Sequence, residues 1–376
     1  MAKRNVKTLG VLTGGGDCPG LNAVIRAVVK TARTEYGWNA VGVLDGFLGL
    51  VEKRTMPLHR TDVSGILTRG GTILGTSNTV DPLHFVKAPG AKPVDITRKV
   101  VRNARALGID ALVAIGGDGT MHIAEGLRAA GLEVVGVPKT IDNDLAETDV
   151  TFGFDSACQV VSDAIDNLHS TAMSHHRVMV VETMGRYAGW LALVGGLAGG
   201  GDIILIPEIP YRLDAVCDGV ARRSGLGKRF SIVVVAEGAK PLGGQLIVGR
   251  RVEGSPDPIR LGGISGILST QIEDRTGLET RHVVLGHLQR GGSPTAADRI
   301  LATRFGAEAV RLVAEGRFGE IVVLRGSEIR AVPIAKAIRC RKTVPLDAPL
   351  IRIGRGIGTK FGDEEPSRNK APARKM

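Results

Sequence analysis

The sequence predicts an α/β protein made of two doubly wound, parallel-sheet domains, and three observations carry that prediction. Short, unbroken apolar runs alternate with longer segments whose apolar residues recur at the helical period. An unbroken run is the mark of a strand buried on both faces, and such strands belong to parallel sheets covered by helices. The alternation restarts after about residue 150. At 376 residues the chain also exceeds what one compact core of usual size holds, so two domains are expected.

In chain order, TLGVLT (8–13) reads as a buried strand, LNAVIRAVVKTARTEY (21–36) as a helix and NAVGVL (39–44) as the next strand. VDITRKVVRNARAL (94–107) puts Ile96, Val100, Ala104 and Leu107 on one helical face. ALVAIGG (111–117) and LEVVGVP (132–138) are strands on either side of the helix in MHIAEGLRAAG. After the restart come a helix at 156–172, a strand at 177–183, a helix in YAGWLALVGGLAG, and strands at 202–208 and 230–238. Residues 240–262 are rich in Gly and Pro and read as a loop or insertion. A helix (264–276), a strand (281–285) and a long helix (295–316) follow.

Composition narrows the function. Aromatics are only 3%, so the cores must be built from Val, Ile, Leu and Ala, and base-stacking platforms are not expected. The net charge is +11, but the segment from Ile351 onward supplies +4 of it and the rest is dispersed. That distribution favours small phosphorylated ligands over nucleic acid. The cysteines Cys18, Cys158, Cys217 and Cys340 show no CxxC or metal spacing, so no disulfide framework is implied and a reducing cytoplasm is the expected location. MAKRNVKTLGVL lacks an apolar segment of leader length, and no apolar run reaches the roughly 18 residues of a membrane span.

In open parallel sheets ligands sit outside the carboxyl ends of the strands, so the residues just after each apolar run carry the argument. TGGGDCPGLNA (13–23) offers backbone N–H groups before a helix start, the geometry that cradles phosphate. It is neither a Walker loop nor GxGxxG. GGDGT (116–120) leaves Asp118 in a second such turn, where a Mg2+ between carboxylate and phosphate explains it most simply. VVGVPKTIDNDLAETD (134–149) crowds Asp142, Asp144 and Asp149 after a third strand, beside Lys139 and Thr140. One such carboxylate can hold metal-bound water and another can take a proton from a hydroxyl. Helix capping by Thr140 or Asp142 is the plainer alternative.

Later in the chain, Arg186 and Glu237 follow strands, and His287 and Arg290 follow another in GHLQRGGSP; Arg177 and Arg281 stand at strand starts. A lone arginine is usually a solvated charge, but four arginines and a histidine near strand ends suit an anion clamp. A phosphate-and-metal site in the first half and an anion-clamped acceptor in the second imply phosphoryl transfer.

GVLTGGGDCPGLNAVIR, GGDGT, PKTIDND, MGRYAGW and GHLQRGGSP, in this order over residues 6–325, together resemble the 6-phosphofructokinase family. The resemblance implies ATP-dependent phosphorylation of fructose 6-phosphate at its C1 hydroxyl, Mg2+ as cofactor, and an active site in the cleft between the two domains. It implies a nucleotide and metal domain of 1–150 plus about 287–325 and a sugar-phosphate domain of 151–286; the basic composition of 355–376 separately predicts a disordered tail. Asp142 matches the general base, with Thr140 and Arg186 beside the transferred group; Asp118 matches the metal position, with Asp144 assisting. Gly15, Gly117, Gly119, Thr120 and Lys139 match the donor site. Ile141, Met184, Gly185 and Glu237 match the sugar site, and Arg177, Arg281, His287, Leu288, Gln289 and Arg290 the 6-phosphate pocket. The residues matching Arg177 and Arg281 come from a neighbouring subunit in the family, so a homo-oligomer, dimer or tetramer, is implied.

Two departures bear on the phosphoryl donor. Lys139 is typical of pyrophosphate-dependent members, whereas Gly119 is not: those members carry Asp there, and a carboxylate would repel the nucleotide α-phosphate. Gly119 therefore favours ATP, with a pyrophosphate-dependent enzyme as the alternative. Asn78 replaces an arginine that bridges the substrates in many members, and Lys139 is the cation that can take over. Cys18, inside the glycine turn, is expected to slow the enzyme when alkylated.

Overall fold

The computed structural model describes residues 6–365, apart from 89 and 252–258. The described residues fall into two compact units, one running to Ala157 and again over His287–Lys342, the other covering Cys158–Arg250, Ile259–Gly286 and the chain from Thr343.

The first unit holds β1 (Thr8–Thr13), α1 (Leu21–Glu35), β2 (Asn39–Val43), α2 (Phe47–Glu52), β3 (Thr55–Pro57), α3 (Thr97–Ala106), β4 (Ala111–Gly116), α4 (Asp118–Ala129) and β5 (Val134–Pro138). Helix α5 (Phe154–His175) leads into the second unit, with β6 (Val178–Thr183), α6 (Trp190–Ala198), β7 (Ile203–Leu205), α7 (Leu213–Gly225) and β8 (Ser231–Ala236). Next come β9 (Val248–Arg251), β10 (Ile259–Leu261), α8 (Ile264–Thr276) and β11 (Thr280–Val284). After a 3-10 turn at Gly286–Arg290 the chain forms α9 (Ala296–Ala314), β12 (Glu320–Arg325), β13 (Glu328–Pro333) and α10 (Ile334–Ala337), and finally α11 (Pro349–Ile357).

The first sheet has seven strands in the order β13-β12-β5-β4-β1-β2-β3. Its inner strands are parallel, while β3 and β13 pair antiparallel at the two edges. The sheet is therefore mixed rather than wholly parallel, because its outermost strands are added by local hairpin-like returns that need no crossover helix. Leu9, Val11 and Leu12 of β1 and Leu112–Ile115 of β4 are fully buried, which is why their sequence is continuously apolar. The register puts Thr13 opposite Ile115 and Gly116 opposite Pro138, so three strands end level. Two bonds carry the ladder past the strand ends: the Gly14 N–H donates to the Ile115 carbonyl at 2.9 Å, and the Lys139 N–H to the Gly116 carbonyl at 2.9 Å.

The second unit is a four-stranded parallel sheet, β11-β6-β8-β7. Alternate residues of β6 serve opposite faces. Met179 and Val181 pack with Val161, Ile165, Leu193, Ile351 and Phe361, whereas Val178 and Val180 pack with Val216, Val220, Leu268 and Ile272.

Two sequence expectations change. The 240–262 stretch contains the two-stranded β9–β10 sheet as well as loop, with 252–258 outside the described residues. The tail expected to be disordered from 355 is folded as far as it is described; residues 366–376 lie outside. The Lys360 carbonyl accepts from the Ile204 N–H at 2.8 Å and the Lys360 N–H donates to the Asp202 carbonyl at 2.9 Å, while Phe361 is fully buried. One aromatic anchor and a free sheet edge outweigh the basic composition of this segment.

Candidate active site

The level ends of β1, β4 and β5 bring three turns together. In the first, Gly15 has φ +74°, a left-handed conformation that glycine adopts without cost. The Gly15 N–H donates to the Ser77 carbonyl at 3.2 Å, and the Thr76 hydroxyl donates to the Gly15 carbonyl at 2.6 Å. Asn78, exposed, follows directly. Thr120 is the packing centre: its buried side chain fills the space where Cβ atoms on Gly14 and Gly116 would lie. Two cations brace the turn from within. The Lys139 ammonium, 3% exposed, donates to the Gly16 carbonyl, and the Arg290 guanidinium donates to the Asp17 carbonyl at 3.0 Å. Burial pulls the Lys139 pKa down, with Arg290 pulling the same way and Asp17 and Asp142 opposing.

Helix α4 starts in the second turn, with Gly117 at its N-cap and Asp118 in its first turn. A carboxylate there is favoured by the helix dipole and stands next to free backbone N–H donors. His122, one turn on, approaches Asp118 Oδ1 at 3.4 Å. Gly119 is exposed, and a Cβ on it would meet nothing within 4 Å. No packing requirement of the chain explains a glycine here.

The third turn is a closed loop. Its neck is a bridge between Lys139 and Phe152, with the Thr151 hydroxyl donating to the Thr140 carbonyl at 2.7 Å. Thr140 organises the acids: its hydroxyl accepts from the Asp142 N–H at 3.1 Å and donates to Asp144 Oδ1 at 3.2 Å. Burial raises the Asp144 pKa, with Asp118 pushing the same way and the Thr140 bond and Arg341 opposing. Ile141 is buried, as is Asn143, which has φ +51°. Asp149 accepts from the Gly326 N–H at 2.6 Å and so fastens the loop to the β12–β13 turn.

In the second unit, Met184, Gly185 and Arg186 follow β6, and Glu237 follows β8, its paired neighbour. The Glu237 N–H donates to the Thr183 carbonyl at 2.9 Å, and Gly238 packs on the Arg186 carbonyl so closely that no side chain fits. Arg186 also stacks over Tyr187. Arg177 and Arg281 stand at the other ends of the strands. Arg177 pairs with Glu279 at 2.9 Å, and Arg281 with the same carboxylate at 2.5 Å. The six residues of β6 put about 20 Å between Arg177 and the Met184–Arg186 turn, at roughly 3.3 Å per residue. One chain therefore does not bring these arginines to its own Arg186 and Glu237.

His287 and Arg290 lie in the first unit, with the rest of the chain as far as Lys342. His287 and Leu288 are exposed, Gln289 is fully buried, and Arg290 is committed to the glycine turn. Cys18 is corrected. It is fully buried beneath that turn, with its sulfur 3.8 Å from the Phe152 carbonyl, and burial pushes its thiol up to about 12, so the expected alkylation has no exposed thiol to act on. Sequence reasoning missed Asn143 and Lys342. The Lys342 ammonium donates to Asn143 Oδ1, and 199 residues of sequence separate the pair without any local signal.

The family model described as Phosphofructokinase matches residues 8–313. The ATP-dependent 6-phosphofructokinase of Chloroflexus aggregans is 52% identical over 95% of this chain and 98% of its own length. The pyrophosphate–fructose 6-phosphate 1-phosphotransferase of Amycolatopsis mediterranei is 52% identical over 90% of this chain and 96% of its own. Among solved structures, the Pichia pastoris phosphofructokinase in the T-state superposes with a TM-score of 0.76 at 33% identity, over 89% of this chain and 35% of that longer one.

Proposed function

The chain belongs to the phosphofructokinase family, and from that membership we infer that it transfers the γ-phosphoryl group of ATP to the C1 hydroxyl of fructose 6-phosphate. The products are fructose 1,6-bisphosphate and ADP, and the enzyme acts in the cytoplasm. The observation that carries the assignment of roles is the level ending of β1, β4 and β5, which collects a glycine turn, a helix N-terminus with Asp118, and the acid loop at one sheet edge.

Backbone N–H groups at the start of α4 receive the donor phosphates, which the glycine turn at Gly15 lets come close. Asp118 holds Mg2+. A single carboxylate at a helix start would suit an ion that keeps much of its water and is shared with substrate phosphates. When bound, the ion neutralises charge on the transferring group. Asp142 takes the proton of the C1 hydroxyl, directed by the bond from its own N–H to Thr140. Arg186 neutralises the transferring phosphoryl group, and Met184, Gly185 and Glu237 hold the sugar. Arg177 and Arg281, a strand's length away in their own chain, serve the 6-phosphate of a neighbouring subunit, with His287 at its rim; the enzyme works as a homo-oligomer.

ATP is the donor because Gly119 opens onto empty space that the protein itself does not use. Lys139 favours the pyrophosphate reading, but its ammonium is already engaged with Gly16. Purified protein supplied with fructose 6-phosphate, Mg2+ and either donor decides the matter: product with ATP is expected, and turnover with pyrophosphate alone would overturn the donor assignment. Asp142→Ala should lower kcat by about 10²–10⁴-fold; parental kcat would remove it as the base.

A further inference from the structure

The acid loop is held from inside by a residue near the end of the first unit. The Lys342 ammonium donates to Asn143 Oδ1 at 2.9 Å, to the Thr148 carbonyl at 2.9 Å and to the Asp149 carbonyl at 2.8 Å. An ammonium has three donors, and all three are spent on one loop. The backbone repeats the attachment: the Lys342 N–H donates to the Asp144 carbonyl at 2.9 Å, and Arg341 bridges Leu145 in antiparallel fashion. Asn143, between Asp142 and Asp144, also accepts from the Thr151 N–H at 3.1 Å through the same Oδ1 that receives Lys342.

We propose that Lys342 is a positioning residue for catalysis: through Asn143 it fixes the directions in which Asp142 and Asp144 leave the loop. This rests on the reading of Asp142 as the base. The loop's rim is already fastened elsewhere, by Arg325 and Lys336 to Glu147 at 2.6 and 3.1 Å, and by Asp149 to Gly326. Those bonds hold the far side of the loop, and Lys342 is the cation bonded to the side chain between the two acids. Burial pushes Lys342 down to about 8 against the pull of Asp149 and Asp144, with Arg325 adding to the push, so the fold keeps an ammonium here at a cost. Asn143 sits at φ +51°, a conformation that a short polar side chain sustains through local hydrogen bonds.

The test compares kcat, the KM for both substrates and Tm in Lys342→Met, Lys342→Arg, Asn143→Ala and the double variant Lys342→Met/Asn143→Ala. Lys342→Met should lose about tenfold or more in kcat while both KM values stay within about threefold, as expected when binding survives but the base is misaimed. Lys342→Arg keeps the charge but not the three-way donor from one atom, so it should restore Tm without restoring kcat. The double variant should fall no further than the worse single one, because both residues act through one contact. Lys336→Met, which cuts an exposed bond at the rim, should keep parental kcat. Parental kcat in Lys342→Met, a change in KM alone, or an equal loss in Lys336→Met overturns the proposal. If Lys342→Met does not fold, Lys342→Arg decides, and parental kcat there also overturns it. Asp142→Ala, assayed alongside, separates the two ideas: an active Asp142→Ala removes the base assignment, whereas an inactive one beside a fully active Lys342→Met removes only Lys342.

Discussion

The ammonium of Lys139 donates to the carbonyl of Gly16, 123 residues earlier in the chain, and so one strand end braces the glycine turn of another. The side chain is buried and lies against the floor of the turn rather than free in solvent. Its first task is therefore to shape the glycine turn, and the proposed interaction with a donor phosphate builds on that.

Replacing it should cost turnover. Lys139→Met is expected to lower kcat/KM for ATP about tenfold or more by freeing the turn; a value within threefold of the parent would mean that Gly16 needs no such brace. A pH signature accompanies the loss. Burial lowers the Lys139 pKa in the folded protein below the 10.5 of the unfolded chain. In the interval below 10.5 the unfolded state then binds more protons, so the contribution of this group to stability rises with pH. Denaturant titrations across that interval should show a shallower rise for Lys139→Met than for the parent.

Gly119 supplies the complementary test. A Cβ there meets nothing within 4 Å, so Gly119→Asp should leave the folded protein intact, with Tm shifted by no more than a few degrees. The new carboxylate would project into the space assigned to the nucleotide and repel its phosphates. The kcat/KM for ATP should fall by about tenfold or more, with the smaller pyrophosphate less affected. Undiminished use of ATP would place the nucleotide elsewhere.

How far the sequence reveals this site depends on whether a residue acts locally. β1 is readable to the residue, because burial on both faces leaves an unbroken apolar run. β13 is not: it is an antiparallel edge strand with Glu328 and Arg330 among its residues, so no apolar run marks it. Asp118 and Asp142 are legible because the carboxyl ends of parallel strands are where ligands sit. Asn143 and Lys342 are not, since neither is unusual in its own segment and their meaning lies in one contact across most of the chain. Cys18 shows the reverse failure. Its place in a glycine turn suggests access, but Phe152 and Gly153, brought in from beyond the acid loop, close over its sulfur.

Cys18 should accordingly resist thiol reagents. Its pKa of about 12 leaves almost no thiolate near neutral pH, and the sulfur has no path to solvent. In the native protein, labelling should fall on Cys340, the exposed cysteine among the four. Cys18 should react only after denaturant is added. Peptide mapping of a briefly alkylated sample checks this, and native modification of Cys18 would show that the turn opens in solution.

In the proposed homo-oligomer, the placement of Arg177 predicts how subunits depend on one another. Arg177 precedes β6 and Arg186 follows it, so a strand's length keeps Arg177 from the sugar site of its own chain. If it serves a neighbour, Arg177→Ala should raise the KM for fructose 6-phosphate about tenfold or more and leave the KM for ATP nearly unchanged. A stronger test uses two crippled proteins. On the proposed roles, Asp142→Ala lacks the base and Arg177→Ala lacks the clamp lent to a neighbour. In a hybrid oligomer, the site that takes its base from the Arg177→Ala chain and its clamp from the Asp142→Ala chain is whole. Unfolding and refolding the two variants together should therefore recover activity that neither shows alone at low fructose 6-phosphate. The other shared site of the hybrid carries both defects, so recovery stays well below the parental level. If mixing restores nothing while hybrids demonstrably form, Arg177 acts within its own chain, and the strand-length argument fails.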